Sequence, residues 1–219
     1  MFALVNKSDN SITKIYNGRR GITIGENQYP QTIFTLWTEA ERNAIDIYTI
    51  EMDNSKFKNE QWYNNTDITY SFDGSKAKGS YGDATAKAHA DVNHVWTQEE
   101  IDDGKAPDGT SEGDAKKDDN GNQLITRGLK YILIKKIKDQ AEGELNKTDW
   151  YVIRKTEEDI AIPSTITTHR KAVRTKQADM ETAITNASDT PALETLYTYT
   201  EQEDGSVTRP LGELPTLED

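Results

Sequence analysis

Hydrophobic positions are unevenly patterned along this chain, and their period changes partway. In the first eighty or so residues apolar and polar side chains alternate. Ser11–Tyr16 is rich in β-formers, Gly21–Gly25 alternates Ile with Thr, and Ala44–Ile50 alternates at Ile45 and Ile47. Period two is the mark of half-buried strands. Asp67–Phe72 and Ser75–Tyr81 flank Asp73-Gly74, which predicts a hairpin with a type I′ turn, because both central residues of that turn need positive φ. Ala84, Ala88 and Val92 then fall at helical spacing and predict a helix over about 84–95. Two capping boxes, Thr38 with Glu41 and Thr97 with Glu100, predict short helices after each Thr.

Beyond residue 124 the period becomes that of long helices. Leu129, Leu133, Ile137, Ala141 and Leu145 recur every fourth residue and predict an amphipathic helix of about five turns, which Trp150–Ile153 extends or ends. Pro163 stands where a helix can start. Ile166, Val173 and Met180 follow at heptad spacing, with Ile184 continuing the stripe. Two such helices joined by a short connection form an antiparallel hairpin. Asp189–Ala192 opens a last short helix bearing Leu193 and Leu196, and the tail from Glu201 is expected to be extended. Between the two regimes, residues 102–124 hold few apolar side chains among Gly, Pro and charges, too few to offset the entropy of ordering a core. The expected fold class is therefore α+β: a β-rich amino-terminal domain over 1–101, an acidic Gly-rich loop over 102–127, a helical hairpin over 128–200 and a tail over 201–219.

Charge narrows the partners. With 26 Lys and Arg against 38 Asp and Glu the net charge is −12, which repels phosphate backbones and anionic membranes. The absence of Cys excludes disulfides, thiol catalysis and Cys-type zinc sites. The opening Met1–Val5 run is too short for a signal peptide and lacks its basic start. No segment has the ~20 apolar residues of a membrane span.

Candidate chemistry is sparse. His89 and His94 are five apart, on different faces of a helix, and His169 is distant in sequence. The Asp118–Gln123 stretch has calcium-loop residue types without the closing bidentate Glu. There is no phosphate loop, nucleophile elbow or dinucleotide fingerprint. A non-enzyme without cofactor or metal is expected. Trp37, Trp62, Trp96 and Trp150 are read as cover for small cores before binding anchors.

One set of spacings is definite. Asp149-Trp150, Arg154, Ile162-Pro163, Arg170 and Arg174 resemble a motif of short proteins encoded beside tail-fibre genes in bacteriophages, the tail fibre assembly and tail assembly chaperone-like group. The resemblance covers about residues 128–187. It implies an architectural motif: Trp150 packing over the hairpin turn, and Arg154, Arg170 and Arg174 meeting carboxylates of the facing helix in bidentate pairs. Where that group often carries Gly before Pro163, this chain has Glu158-Asp159, and His169 stands in place of a Tyr. Tyr29-Pro30, Leu36–Arg42 and Ala44–Tyr48 are similar to the amino-terminal domain of such tail proteins, often from marine phages, with Asp46 where Gly is common.

What the resemblance implies is a non-enzymatic virion protein of the tail fibre or baseplate region, made in the host cytoplasm and carried afterwards in the tail. A chaperone of fibre assembly that leaves the virion is the alternative, and a hydrolase of cell-surface polysaccharide a third reading. Expected partners are phage tail or tail-fibre proteins, with a homo-oligomer as a further option, and neither nucleic acid nor membrane. Pairing the two helical stripes leaves Tyr131, Ile132 and Ile134 uncovered, which nominates Tyr131, Ile134 and the adjoining helix surface, with Trp150 at the end, as the tail-binding face. Asp149, Arg154, Pro163, Arg170 and Arg174 are the expected stabilisers of the hairpin.

Overall fold

The structure, a computed structural model, describes residues 1–217. The protein is α+β and divides into two compact units, Met1–Thr85 and a second that begins at Ala86. The division falls sixteen residues before the boundary expected at 101, because the segment after Thr85 packs with the helices that follow it.

The first unit is built on β1 (Phe2–Asn6) and β2 (Ser11–Tyr16), then a small hairpin of β3 (Ile22–Ile24) and β4 (Asn27–Tyr29), a 3₁₀ turn at Gln31–Phe34, α1 (Glu39–Asn43), β5 (Ile47–Asp53), β6 (Tyr63–Asn64), β7 (Thr69–Phe72) and β8 (Ala77–Ser80). Five strands form one sheet in the order β2-β1-β5-β8-β7, antiparallel throughout except for the parallel pair β5–β8. Its two edge strands, β2 and β7, approach within 8 Å between Cα atoms, so the sheet curls toward itself. Alternation along β1 decides both cores. Ala3 and Val5 face Tyr48, Ile50, Phe72 and Ala77, while Phe2 and Leu4 pack outward against Ile22, Ile33, Phe34 and Ile47. Burying an apolar side chain of this size contributes about 1.5–3 kcal/mol. Thr38 and Glu41 close the expected capping box on α1.

Two expectations are corrected here. β5 begins at Ile47 rather than Ala44, because Ala44–Asp46 is a turn in which Asp46 takes φ of 63°. The β7–β8 hairpin exists, but its turn is centred one residue later than a type I′ turn on Asp73-Gly74 would be. Only Gly74 has positive φ, and the Asp73 carboxylate instead accepts from the amides of Ser75 and Lys76. β1, which composition did not single out, contributes to both cores beside the central strand β5.

β9 (Thr85–Ala86) spans the division between units. The second unit contains β10 (Val92–Asn93), α2 (Gln98–Asp102), β11 (Ile125–Thr126), α3 (Leu129–Asn146), α4 (Asp149–Glu158), α5 (Ser164–Asn186), α6 (Thr190–Tyr197), β12 (Thr200–Glu201) and β13 (Val207–Thr208). α3 and α5 are antiparallel partners, with Leu129, Leu133, Ile137 and Ala141 buried along one and Ile166, Val173, Met180 and Ile184 along the other.

The helix expected over 84–95 is absent. Its backbone is committed elsewhere: the carbonyls of Ala88 and His89 accept from Leu129 and Lys130 at 3.0 and 2.9 Å, and Asp91 accepts from the Gly128 amide at 2.9 Å. These are the orphan donors at the start of α3, which has no side-chain cap of its own. Gly128 is required there, because a Cβ would lie 2.2 Å from the Ala90 carbonyl oxygen.

Residues 102–124 include no buried residue, as their composition dictates, yet they are not a free linker. Bridges Val95–Ala115 and Lys117–Gln123 and the β10–β11 pair fold the segment back on itself. Lys116 pairs with Glu100, which also closes the capping box on Thr97. The tail is likewise not extended: β12 and β13 pair, and Leu211 is buried with its amide on the Leu196 carbonyl.

Candidate partner-binding face

α3 does not run on into Trp150–Ile153. It stops at Asn146, and Thr148, at φ −121° and ψ 6°, breaks the path before α4 begins. Arg170 of α5 fixes that break. One guanidinium nitrogen donates to the Leu145 carbonyl and to Thr148 Oγ1, both at 2.7 Å, and lies 2.8 Å from Asp149 Oδ1. Arg170 and Thr148 are both buried. The charge therefore joins the Thr148 amide and hydroxyl, both 3.0 Å away, on a helix-end carbonyl that has no partner within α3, and meets a carboxylate as well.

α4 is held in place by this junction without being covered by it. None of its ten residues is buried, although Trp150, Tyr151, Val152 and Ile153 are consecutive and apolar. Trp150 is 49% and Ile153 55% exposed, and Val152 and Ile160 are exposed as well. The Arg154 guanidinium sits 4.6 Å from the Trp150 ring centroid and 5.4 Å from that of Tyr151, a cation–π stack that stiffens the aromatic pair. Beside α4 runs an open groove of about 420 Å³, lined by Val152, Ile162, Thr167, Arg170, Lys171 and Arg174. Lys171 and Arg174 are exposed and make no salt bridge among the described residues.

The predicted stabilisers are thus only partly united. Asp149 and Arg170 meet, through a single nitrogen rather than a bidentate fork. Arg154 stacks on aromatic rings instead of pairing with a carboxylate, and Arg174 faces the groove. Pro163, at φ −53° and ψ 140°, is the residue before α5 rather than within its first turn. Trp150 does not seal the turn; it stacks on Tyr151 with centroids 3.8 Å apart and leaves half its surface to solvent.

Of the residues expected to dock a partner, Tyr131 and Ile134 lie in the first turns of α3 and Trp150 in the first turn of α4, beyond the break at Thr148. Tyr131 is 44% exposed beneath the Arg127 guanidinium, 4.3 Å from its ring centroid, and Ile134 is half-buried. Val152, Ile153, Ile160 and Lys171 were not anticipated as surface residues of the site. The signal for Val152 and Ile153 was the run of four consecutive apolar residues in α4, more than one helix face can bury; Ile160 and Lys171 had none.

Of the histidines, His94 Nε2 lies 2.6 Å from Thr126 Oγ1, and His169 is buried with Nε2 unpartnered. Among the described residues no group of three or more His, Cys, Asp or Glu is placed to hold a metal ion, and no helix is long and apolar enough to cross a membrane. Compared with protein-family models, curated proteins and solved structures, the chain matches none of them.

Proposed function

We propose that this protein is a non-enzymatic, tail-associated structural protein of a bacteriophage, seated in the fibre or baseplate region and binding neighbouring tail proteins through the α4–α5 face. The observation that carries the binding role is α4: a helix with no buried residue, presenting Trp150, Val152 and Ile153 while Arg170 fixes its origin. Exposed apolar groups on a preorganised element mark interaction surfaces, and Trp and Arg are the residues most often decisive in them.

The phage assignment rests on the sequence resemblance and gains support from backbone geometry. Three non-Gly residues adopt positive φ, namely Asn10, Asp46 and Asp159. Two of them, Asp46 and Asp159, fall where the resembled group commonly carries Gly, the residue that adopts this conformation most readily.

Mass spectrometry of purified virions tests the reading. The expected result is the protein at fixed stoichiometry with tail components, and loss of incorporation in a Trp150→Ser/Ile153→Ser variant whose thermal melt is nearly unchanged. Presence in infected lysate but absence from virions replaces it with an assembly chaperone. Turnover of host polysaccharide by the purified chain, abolished by mutating one carboxylate pair, overturns the non-enzymatic assignment.

A further inference from the structure

The groove beside α4 differs in charge from the rest of the molecule. The chain carries −12 overall, yet the first half of α5, residues 164–176, holds Arg170, Lys171, Arg174 and Lys176 and neither Asp nor Glu. Arg170 is occupied by Leu145, Thr148 and Asp149, which leaves Lys171 and Arg174 to face the groove without an ion-pair partner among the described residues. The opposite wall is apolar, supplied by Val152 and Ile162, and Trp150 and Ile153 continue that character onto exposed α4.

We infer that this groove receives an acidic segment of a partner protein, its carboxylates on Lys171 and Arg174 and an apolar side chain against Val152 and Ile162. The inference rests on the reading of α4–α5 as a protein-docking face and adds the chemistry of what docks there. A planar guanidinium and an ammonium set side by side suit carboxylates, and contact with the apolar wall excludes the water that would otherwise screen them. Screening confines the far negative charge of the chain to within about 8 Å at physiological salt, so the local cations govern the last step of docking.

A second copy of this chain fits less well. Its most acidic exposed stretch, residues 102–119, has seven Asp and Glu against three Lys but only Ala and Pro as apolar residues, so it has no anchor for the apolar wall. Nucleic acid would face a strongly acidic molecule everywhere beyond this groove.

The test is fluorescence anisotropy with the full chain and three labelled probes: a short amphipathic peptide of Glu, Leu and Phe, its counterpart with Lys for Glu, and a single-stranded DNA oligonucleotide. The acidic peptide is expected to bind, the basic one and the DNA not. Lys171→Glu/Arg174→Glu should weaken binding by at least about tenfold and remove most of its salt dependence, whereas Arg174→Lys should retain most of the affinity. Circular dichroism melts confirm that each variant is folded. Equal binding of both peptides, binding of neither, or DNA binding lost in the same double variant overturns the inference, as does reversible self-association in sedimentation velocity that Arg174→Glu abolishes. Failure here is separable from failure of the docking role. If Trp150→Ser/Ile153→Ser is excluded from virions while Lys171→Glu/Arg174→Glu is incorporated normally, the face docks protein but not through carboxylates.

Discussion

Asp159 ends α4 with φ of 55° and ψ of 23°, the left-handed conformation that closes many helices. A residue with a Cβ is strained there by about 1–2 kcal/mol, less for Asp, whose short side chain can bond locally. Its ion pair with Lys155 lies in open solvent and offsets little of that strain. Asp159→Gly is therefore expected to raise stability by about 0.5–1 kcal/mol in urea unfolding, after the extra flexibility of Gly in the unfolded chain is counted, and Asp159→Ala to lower it. A loss with Gly would mean that the Asp159 carboxylate matters more than its backbone. Asp46 has the same geometry, with φ of 63°, but its carboxylate accepts from Lys7 at 2.7 Å, so Asp46→Gly should gain less.

At the scale of elements, the α3–α4 junction depends on one buried cation with three acceptors. Replacing Arg170 by Met leaves Thr148 Oγ1 and Asp149 without their cation and the Leu145 carbonyl with only the Thr148 amide and hydroxyl as donors, and is expected to cost about 2–4 kcal/mol. Asp149→Asn touches a partner whose side chain is 47% exposed and should cost less than about 1 kcal/mol. Equal losses in chemical denaturation would show that the ion pair, not the helix-end carbonyl, holds the junction. Asp149 and Arg170 could be picked out from the sequence because their residue types and spacing were distinctive; Thr148, an ordinary Thr between helices, could not. The α3 and α5 stripes were legible because each repeats on one face, and the starts of α1 and α2 because a capping box is a local code. Nonlocal choices left no such trace. Helical spacing at Ala84, Ala88 and Val92 lost to the need of α3 for backbone acceptors, and a lone Leu211 in a polar tail gave no sign that it would be buried. The parallel β5–β8 pairing joins strands more than twenty residues apart, beyond the reach of any local pattern.

Across the whole molecule, one set of acidic side chains serves as joints as well as surface charge. Asp9, Asp53, Asp73, Asp118 and Asp204 accept hydrogen bonds in turns, Glu41 and Glu100 close capping boxes, and Asp91 holds the start of α3; all eight carboxyls are shifted below their ordinary range. Glu100 is held down to about 2, first by Lys116 and then by the Thr97 amide. A carboxyl lowered on folding is more protonated in the unfolded chain, so its stabilisation is complete above the ordinary value of 4.5 and is lost as pH falls from there toward 2. Relief of the repulsion implied by a charge of −12 works in the opposite direction as pH approaches the isoelectric point near 4.8, but salt screens that long-range effect and leaves the short hydrogen bonds intact. Resistance to heat is therefore expected to hold between pH 7 and 5 and to fall below about 4.5. Glu100→Gln separates the local effect from the global one, because a protonated Glu and a Gln are nearly equivalent to Lys116. Amide exchange at Trp96 and Lys116, whose bonds to Asp114 and His94 lie beside this joint, should be faster in the variant than in the parent at pH 7, and the difference should close as pH approaches 2. A difference that persists undiminished in acid would show that the Glu100 side chain acts through its shape and not through its charge.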